Sequence, residues 1–394
     1  MVQGPNQATD RRIPELDGLR GLAGLMVVIS HYFGEIAHGV QATMFGWIGV
    51  DIFFVLSGYL IGKLILEKKD CANFFTVFYV RRFLRIIPAY MITVAAVLLL
   101  LAAAPASWAN TTRELPAWSY FTFLQVFPMA ATGSVGVHWL APTWTLAVEE
   151  HFYLVVPALM IFTPRRHLAK VLLAGIPIAL ALRVAVLLYG ILPPTTAMVL
   201  LPFRADTLIC GLLAGLAVQS GKVRWERHVS WLRVAPLLAV SATLFARVAG
   251  GQTMLEICGP LFMGIGCASF ILCLVLGTPE ARRFGSRRLQ RIGDNSYCLY
   301  LVHLAVLGLM HGLILGTLPD LQTKAQWIIT VVSLPVTALV AYLMTRFIEE
   351  PLTRYGRTWK WSKEPRDATI SISPVTASTR LVAARDNRAP SYPD

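Results

Sequence analysis

Arg20 and His31 stand eleven residues apart inside the first long apolar segment of the chain, GLRGLAGLMVVISHYFGEIA. Eleven residues make close to three helical turns, so both side chains fall on nearly one face, about 16 Å apart along the axis. Charge facing the interior of a membrane bundle is costly, because lipid cannot solvate it and only another polar group, a cavity or a substrate can. His31 suits general-base work, since an unperturbed imidazole titrates near physiological pH. Glu35, at i+4 from His31, shares its face and is placed to orient the ring. Arg82 and Arg85 in FYVRRFLRIIPAY lie at i,i+3, and each offers a planar donor fork that matches phosphate. The bland alternatives are an arginine snorkelling at a helix end, a histidine bonded to a neighbouring helix, and basic residues that only set topology.

These residues need elements to hold them, and composition says which kind. The 394 residues are 56% hydrophobic and only 14% charged, with a mean hydropathy of +0.60. That is far too apolar for a soluble protein and describes an all-α, polytopic bundle in a lipid bilayer. The net charge of +13 does not imply a nucleic-acid partner, because the arginines cluster in short loops between apolar spans. The six cysteines, Cys71, Cys210, Cys258, Cys267, Cys273 and Cys298, show no C-x-x-C or Cys/His ligand spacing, so neither a disulfide framework nor a metal site is expected. The first span is too long for a signal-peptide core and is read as a retained signal anchor.

Ten spans are expected, near 18–38, 46–66, 85–104, 143–163, 168–190, 199–219, 234–249, 255–277, 294–316 and 325–348. The stretch 116–131, PAWSYFTFLQVFPMAA, is short and bracketed by Pro116 and Pro128. If it does not cross, every strongly basic connection falls on one side: Arg11 and Arg12, Lys63 to Arg85, Arg165 to Lys170, Lys222 to Arg233, and Arg282 to Arg291. The other side keeps little beyond Arg113 and Lys324. The expected topology is therefore a multi-pass plasma-membrane protein with both termini cytoplasmic and 116–131 interfacial or re-entrant. Its parts are a cytoplasmic segment 1–12, an integral domain 13–354, and a disordered cytoplasmic tail 360–394 rich in Ser, Thr, Pro and Arg. Gly18, Gly21 and Gly24 form a small-residue stripe suited to close helix packing.

Orientation converts position into depth at 1.5 Å per residue. His31, Glu35, Asp51, Glu149, Glu150, Arg183, Arg204 and Asp206 all fall in the outer half, with Ser57 near the middle, so an acid/base layer from several helices is expected there. Arg20, Arg82 and Arg85 fall toward the cytoplasm as an anion site. The combination describes a route for a phosphate-bearing donor.

In order along the chain, ELDGLRGLAGLMVVISH, GWIGVDIFFVLSGYLIG, FYVRRFLRIIPAY, PTWTLAVEEHFYLVVP, FRADTLICGLLAG, GDNSYCLYLVHLAV and RFIEEPLTR resemble the membrane acyltransferase family 3, which includes bacterial O-antigen and exopolysaccharide O-acetylases. The resemblance runs from about residue 13 to 354. It implies transfer of an acyl group, usually acetyl from acetyl-CoA, to a hydroxyl of a glycan or a glycosylated small molecule, with acyl-CoA a co-substrate and no permanently bound cofactor. Arg20 and His31 match the family's Arg-x10-His motif, with His31 the proposed catalytic base. Arg82 and Arg85 match its Arg-x-x-Arg, serving the donor, and Glu149 matches its acidic Trp-Ser/Thr-Leu-x-x-Glu position. Many relatives carry a fused extracytoplasmic hydrolase-like domain that this chain does not, so the expectation is that the integral domain acts directly or with a separate partner. Asp51 joins His31, Glu35 and Glu149 as an expected catalytic residue. Glu150, Ser57, Arg204, Asp206, Tyr297 and His303 are further site candidates, and Tyr300 lies in the same SYCLYLVH segment. Ser57 lacks a nucleophile-elbow motif, which disfavours an acyl-serine intermediate. The competing class is a proton-coupled secondary transporter, since intramembrane Arg, His and Glu also mark proton-coupled paths; no convincing inverted repeat supports it. A non-catalytic scaffold would not need the polar layer. Oligomeric state is not readable from the sequence.

Overall fold

The computed structural model describes residues 13–104, 115–221 and 223–363. The expected segment 1–12, most of the 360–394 tail, and Arg11, Arg12, Arg113 and Lys222 lie outside the described residues. Within them the chain is helical, with no strand beyond one isolated bridge between Ala37 and Asp320.

Helix α1 (Pro14–Ile29) starts with proline in its first turn, where the missing N–H costs nothing, and continues through a π-turn, Ser30–Gly34. Helices α2 (Gly46–Lys68) and α3 (Phe74–Ala103) follow. The short α4 (Ala117–Phe121) and α5 (Val126–Thr132) precede α6 (Thr143–Phe162) and α7 (Arg165–Tyr189). Next come α8 (Thr195–Val199), α9 (Leu201–Ser220), α10 (Val229–Val275), α11 (Arg287–Asp294), α12 (Ser296–Leu315), α13 (Lys324–Met344) and α14 (Glu350–Gly356).

Eight helical segments of the described residues are long and apolar enough to cross a membrane. Two details bring this to the ten spans read from sequence. The 16 residues of α1 fall short alone, but the π-turn carries the helical path to Gly34 and a length of about 30 Å. The 47 residues of α10 are two helices meeting at Gly251, whose φ of 67° and ψ of −157° suit only glycine. The 116–131 stretch holds no helix long enough to cross, in keeping with the interfacial or re-entrant reading from charge: α4 and α5 are one or two turns each and part near Phe123, whose φ is 59°. Gln125 fixes the stretch in place by donating to the Tyr90 hydroxyl and the Thr143 carbonyl, both at 3.2 Å, while Tyr90 donates to Tyr120 O at 2.8 Å.

Small residues bring the backbones together where the site will form. A Cβ on Gly58 would lie 2.1 Å from Leu208 O, and one on Gly211 would lie 2.1 Å from Val55 O, so α2 and α9 pack in mutual backbone contact beside Ser57. The stripe on α1 works likewise, with Gly18 and Gly21 pressed against Phe284 O and Leu289 O. The tail differs from expectation at its start. Asn73 donates to Lys360 O and accepts from Ser362 N, both at 2.9 Å, and Arg81 donates to Trp359 O while its guanidinium lies 5.1 Å from the Trp361 ring. Residues 359–362 are thus a strap tied to the beginning of α3, and Arg81 has a packing task besides topology.

Candidate active site

One cavity of about 890 Å³, open mouth included, lies among α1, α2, α3, α6 and α12. It collects the three arginines that spacing singled out: Arg20 from α1, and Arg82 and Arg85 from successive turns of α3. They sit near the end of the bundle where α1 and α3 begin and α2 finishes. Their pairing is loose. Arg20 has Asp17 at 3.9 Å, Arg82 lies over the Tyr153 ring at 4.6 Å, and neither Arg82 nor Arg85 has a carboxylate within 4 Å among the described residues. Three guanidiniums lining one cavity, two of them without a carboxylate partner among the described residues, make a site for an anion rich in oxygen acceptors.

The same cavity holds an acidic and hydroxylic cluster. The Ser57 hydroxyl donates to Glu149 Oε1 at 2.6 Å, and the Tyr153 hydroxyl lies 3.1 Å from both Ser57 Oγ and Glu149 Oε2. Glu150 lines the cavity too, with its buried Oε1 unpaired, and Tyr297 donates to Ile86 O at 2.7 Å. Glu149 was expected in the outer layer with His31. It lies instead with the arginines, because it is six residues into α6, about 9 Å below that helix's start.

His31 does not line this cavity. Tyr300, Phe53 and Thr145 stand at its boundary, with Tyr300 donating to Pro142 O at 3.2 Å and accepting from Thr145 Oγ1 at 2.8 Å. One turn further along α12, His303 stacks on His31, with ring centroids 4.9 Å apart and His303 Nε2 at 2.8 Å from His31 Nδ1. His31 Nε2 faces Glu35 Oε2 at 3.4 Å, and Ser30 donates to Glu35 Oε1 at 2.9 Å. The π-turn closes this arrangement through a bond from Glu35 N to Ser30 O at 2.9 Å. Glu35, expected on the face of His31, lies against its Nε2, and His303 holds the other ring nitrogen, Nδ1.

The expected single acid/base layer divides further. Asp51, Arg204, Asp206 and Arg183 are paired with one another and stay out of the cavity. Arg204 donates to Asp51 at 2.5 Å. Arg183, fully buried, donates to both oxygens of Asp206 at 3.0 and 2.5 Å and to the carbonyls of Phe203 and Ile257. These pairs staple α2, α7, α9 and α10 together, with Arg183 fully bonded and Arg204 leaving its buried Nε without a partner, and breaking either pair would strand a buried charge. The direction around each helix was not legible in sequence, so residues read at one level were merged into one site.

Three polar cavity residues, Tyr153, Thr145 and Ser296, escaped the sequence reading. Tyr153 follows Glu149 by four residues and so shares its face, a signal that was available. Thr145 reads in sequence as an ordinary residue of the first turn of α6, and only its bond to Tyr300 across the bundle gives it a place.

With this geometry in view, the comparisons with known proteins take on meaning. The profile of the acyltransferase domain family, number 3 of the acyltransferases, matches residues 13–346, and the chain belongs to that family. It is 29% identical over 399 aligned residues to the peptidoglycan O-acetyltransferase OatA of Listeria monocytogenes, covering 93% of this chain and 61% of that protein. It is 29% identical to YrhL of Bacillus subtilis, provisionally named for the same activity, over 88% of this chain and 56% of that one. The chain thus spans about three-fifths of the length of these relatives. No solved structure matches it. The multi-pass, all-helical membrane architecture agrees with this membership.

Proposed function

We propose that this chain is a membrane O-acyltransferase that moves an acyl group, acetyl foremost, from cytoplasmic acyl-CoA to a hydroxyl of a glycan or other sugar-containing acceptor. The observation that carries this reading is the cavity in which Arg20, paired with Asp17 at 3.9 Å, meets Arg82 and Arg85, neither of which has a carboxylate within 4 Å among the described residues. The CoA phosphates are held there by the guanidinium forks. The one-sided basic connections support a cytoplasmic mouth and cytoplasmic termini in a plasma membrane. The acceptor named in the Listeria relative, peptidoglycan, is a glycan and supports a sugar hydroxyl here.

The thioester-bearing arm extends from the arginines toward Tyr300, beyond which lie His303 and His31. His31 takes the proton from the acceptor hydroxyl, the oxygen bonds to the acyl carbon, and the carbon–sulfur bond breaks. The thiolate leaves toward the arginine end and regains a proton from water. Tyr300 separates the cavity from His31, so it must swing aside or pass the arm by.

A second route has its own observation. Ser57 bonded to Glu149 at 2.6 Å inside the donor cavity fits an acyl-serine relay, with Glu149 taking the serine proton. Trapping with radiolabelled acetyl-CoA in the absence of acceptor separates the two, since only the relay labels a peptide containing Ser57. The reading as a whole is tested in proteoliposomes by free CoA release that requires an added glycan acceptor, together with base-labile acetate on that glycan. Solute uptake without CoA release would instead identify a transporter.

A further inference from the structure

The contacts of His303 and His31 fix where their protons lie. His303 Nδ1 is 2.6 Å from the carbonyl oxygen of Tyr300, which can only accept, so Nδ1 carries the hydrogen. In the neutral ring, Nε2 is then a bare acceptor, and His31 Nδ1 at 2.8 Å must donate to it. That leaves His31 Nε2 as the atom with the free lone pair. Facing it at 3.4 Å is Glu35 Oε2, near enough to draw a proton from His31 once Nε2 has taken one up. His303 is fully buried, while the Glu35 side chain is 40% exposed. His138, on the turn ahead of α6, is the other ionisable group that acts electrostatically on His31.

We infer that His303 is a positioning residue that locks His31 in the tautomer with a basic Nε2, and that Glu35 receives the proton His31 takes up and releases it to water at the mouth opposite the arginines. The inference rests on His31 being the base. The acceptor O–H bond breaks as the His31 Nε2–H bond forms; that bond then breaks as the Glu35 Oε2–H bond forms, and water removes the proton. The chain from Tyr300 O through His303 and His31 to Glu35 and Ser30 follows the logic of an orienting group behind a catalytic imidazole, here with a second imidazole in the place usually taken by a carboxylate. A neutral orienter suits a buried position, since it adds no second charge to desolvate.

The experiment compares H303F, H303Q and E35Q in the purified full-length protein, with CoA binding as the folding control because His303 and Glu35 lie outside the arginine cavity. H303F keeps a flat ring without an acceptor, whereas the H303Q amide oxygen can still accept from His31 Nδ1. The expected result is a fall of about 100-fold in kcat for H303F with donor KM unchanged, recovery of at least about 10-fold in H303Q, and for E35Q a lower kcat whose pH profile loses its acidic limb. Equal kcat for H303F and H303Q, or unchanged kcat in H303F, overturns the positioning role. An H31Q variant run alongside distinguishes the deeper failure: full activity there removes His31 as the base, while an inactive H31Q with fully active H303F overturns this inference alone.

Discussion

Removing a cavity arginine should weaken donor binding by an amount set by what the guanidinium touches. Among the described residues Arg82 and Arg85 have no carboxylate within 4 Å to satisfy their forks, so their donors are available to phosphate. A hydrogen bond to a charged group contributes about 1.5–3 kcal/mol, which at 1.4 kcal/mol per tenfold is about 10- to 150-fold in Kd. R85A is expected in that range for CoA binding, measured calorimetrically on purified protein at fixed ionic strength. R85K keeps the charge but loses the fork and should fall between. R82A combined with R85A should cost less than the product of the single effects, since the two residues share one ligand. By contrast, R183A removes one member of a saturated buried pair, so it should lose about 3–5 kcal/mol of stability yet bind CoA normally wherever it stays folded. Wild-type CoA affinity in R82A/R85A, within about twofold, would refute the assignment of this cavity to the donor.

The α2–α9 contact makes a packing prediction. G211A places a methyl 2.1 Å from Val55 O, which is backbone and cannot step aside, so a loss of at least about 1–3 kcal/mol is expected in thermal unfolding. The Asp51–Arg204 pair predicts a mutational asymmetry. D51N alone strands the Arg204 charge and should destabilise strongly, whereas a D51L/R204M double variant should regain most of the loss and leave donor affinity unchanged, read by unfolding midpoint and CoA titration.

The sequence carried the architecture well because each relevant signal was local. Apolar runs set the helices, and the shortness of the 116–131 stretch matches the one or two turns of α4 and α5. The grouping of Arg20 with Arg82 and Arg85 was legible too, since depth follows from counting residues inward from a span's start. What counting could not supply was azimuth. Asp51 and Arg204 turn toward each other between α2 and α9, and Asp206 turns toward Arg183 of α7, while Glu149 was misplaced by depth, six residues into α6. Fixing azimuth requires the crossing partners of each helix, and those depend on contacts such as Gly58 against Leu208, more than a hundred residues distant. His303 was visible as a candidate, but its pairing with His31 joins residues 272 apart and needed the fold.

The central claim is that the arginine cavity holds the acyl donor while His31, outside that cavity, serves as the base. Single-turnover acyl transfer by H31Q, with CoA affinity measured on the same preparation, tests both halves at once. The account predicts transfer slowed by about 10²- to 10⁴-fold with CoA bound as tightly as in the wild type. Transfer at the wild-type rate by H31Q would contradict it.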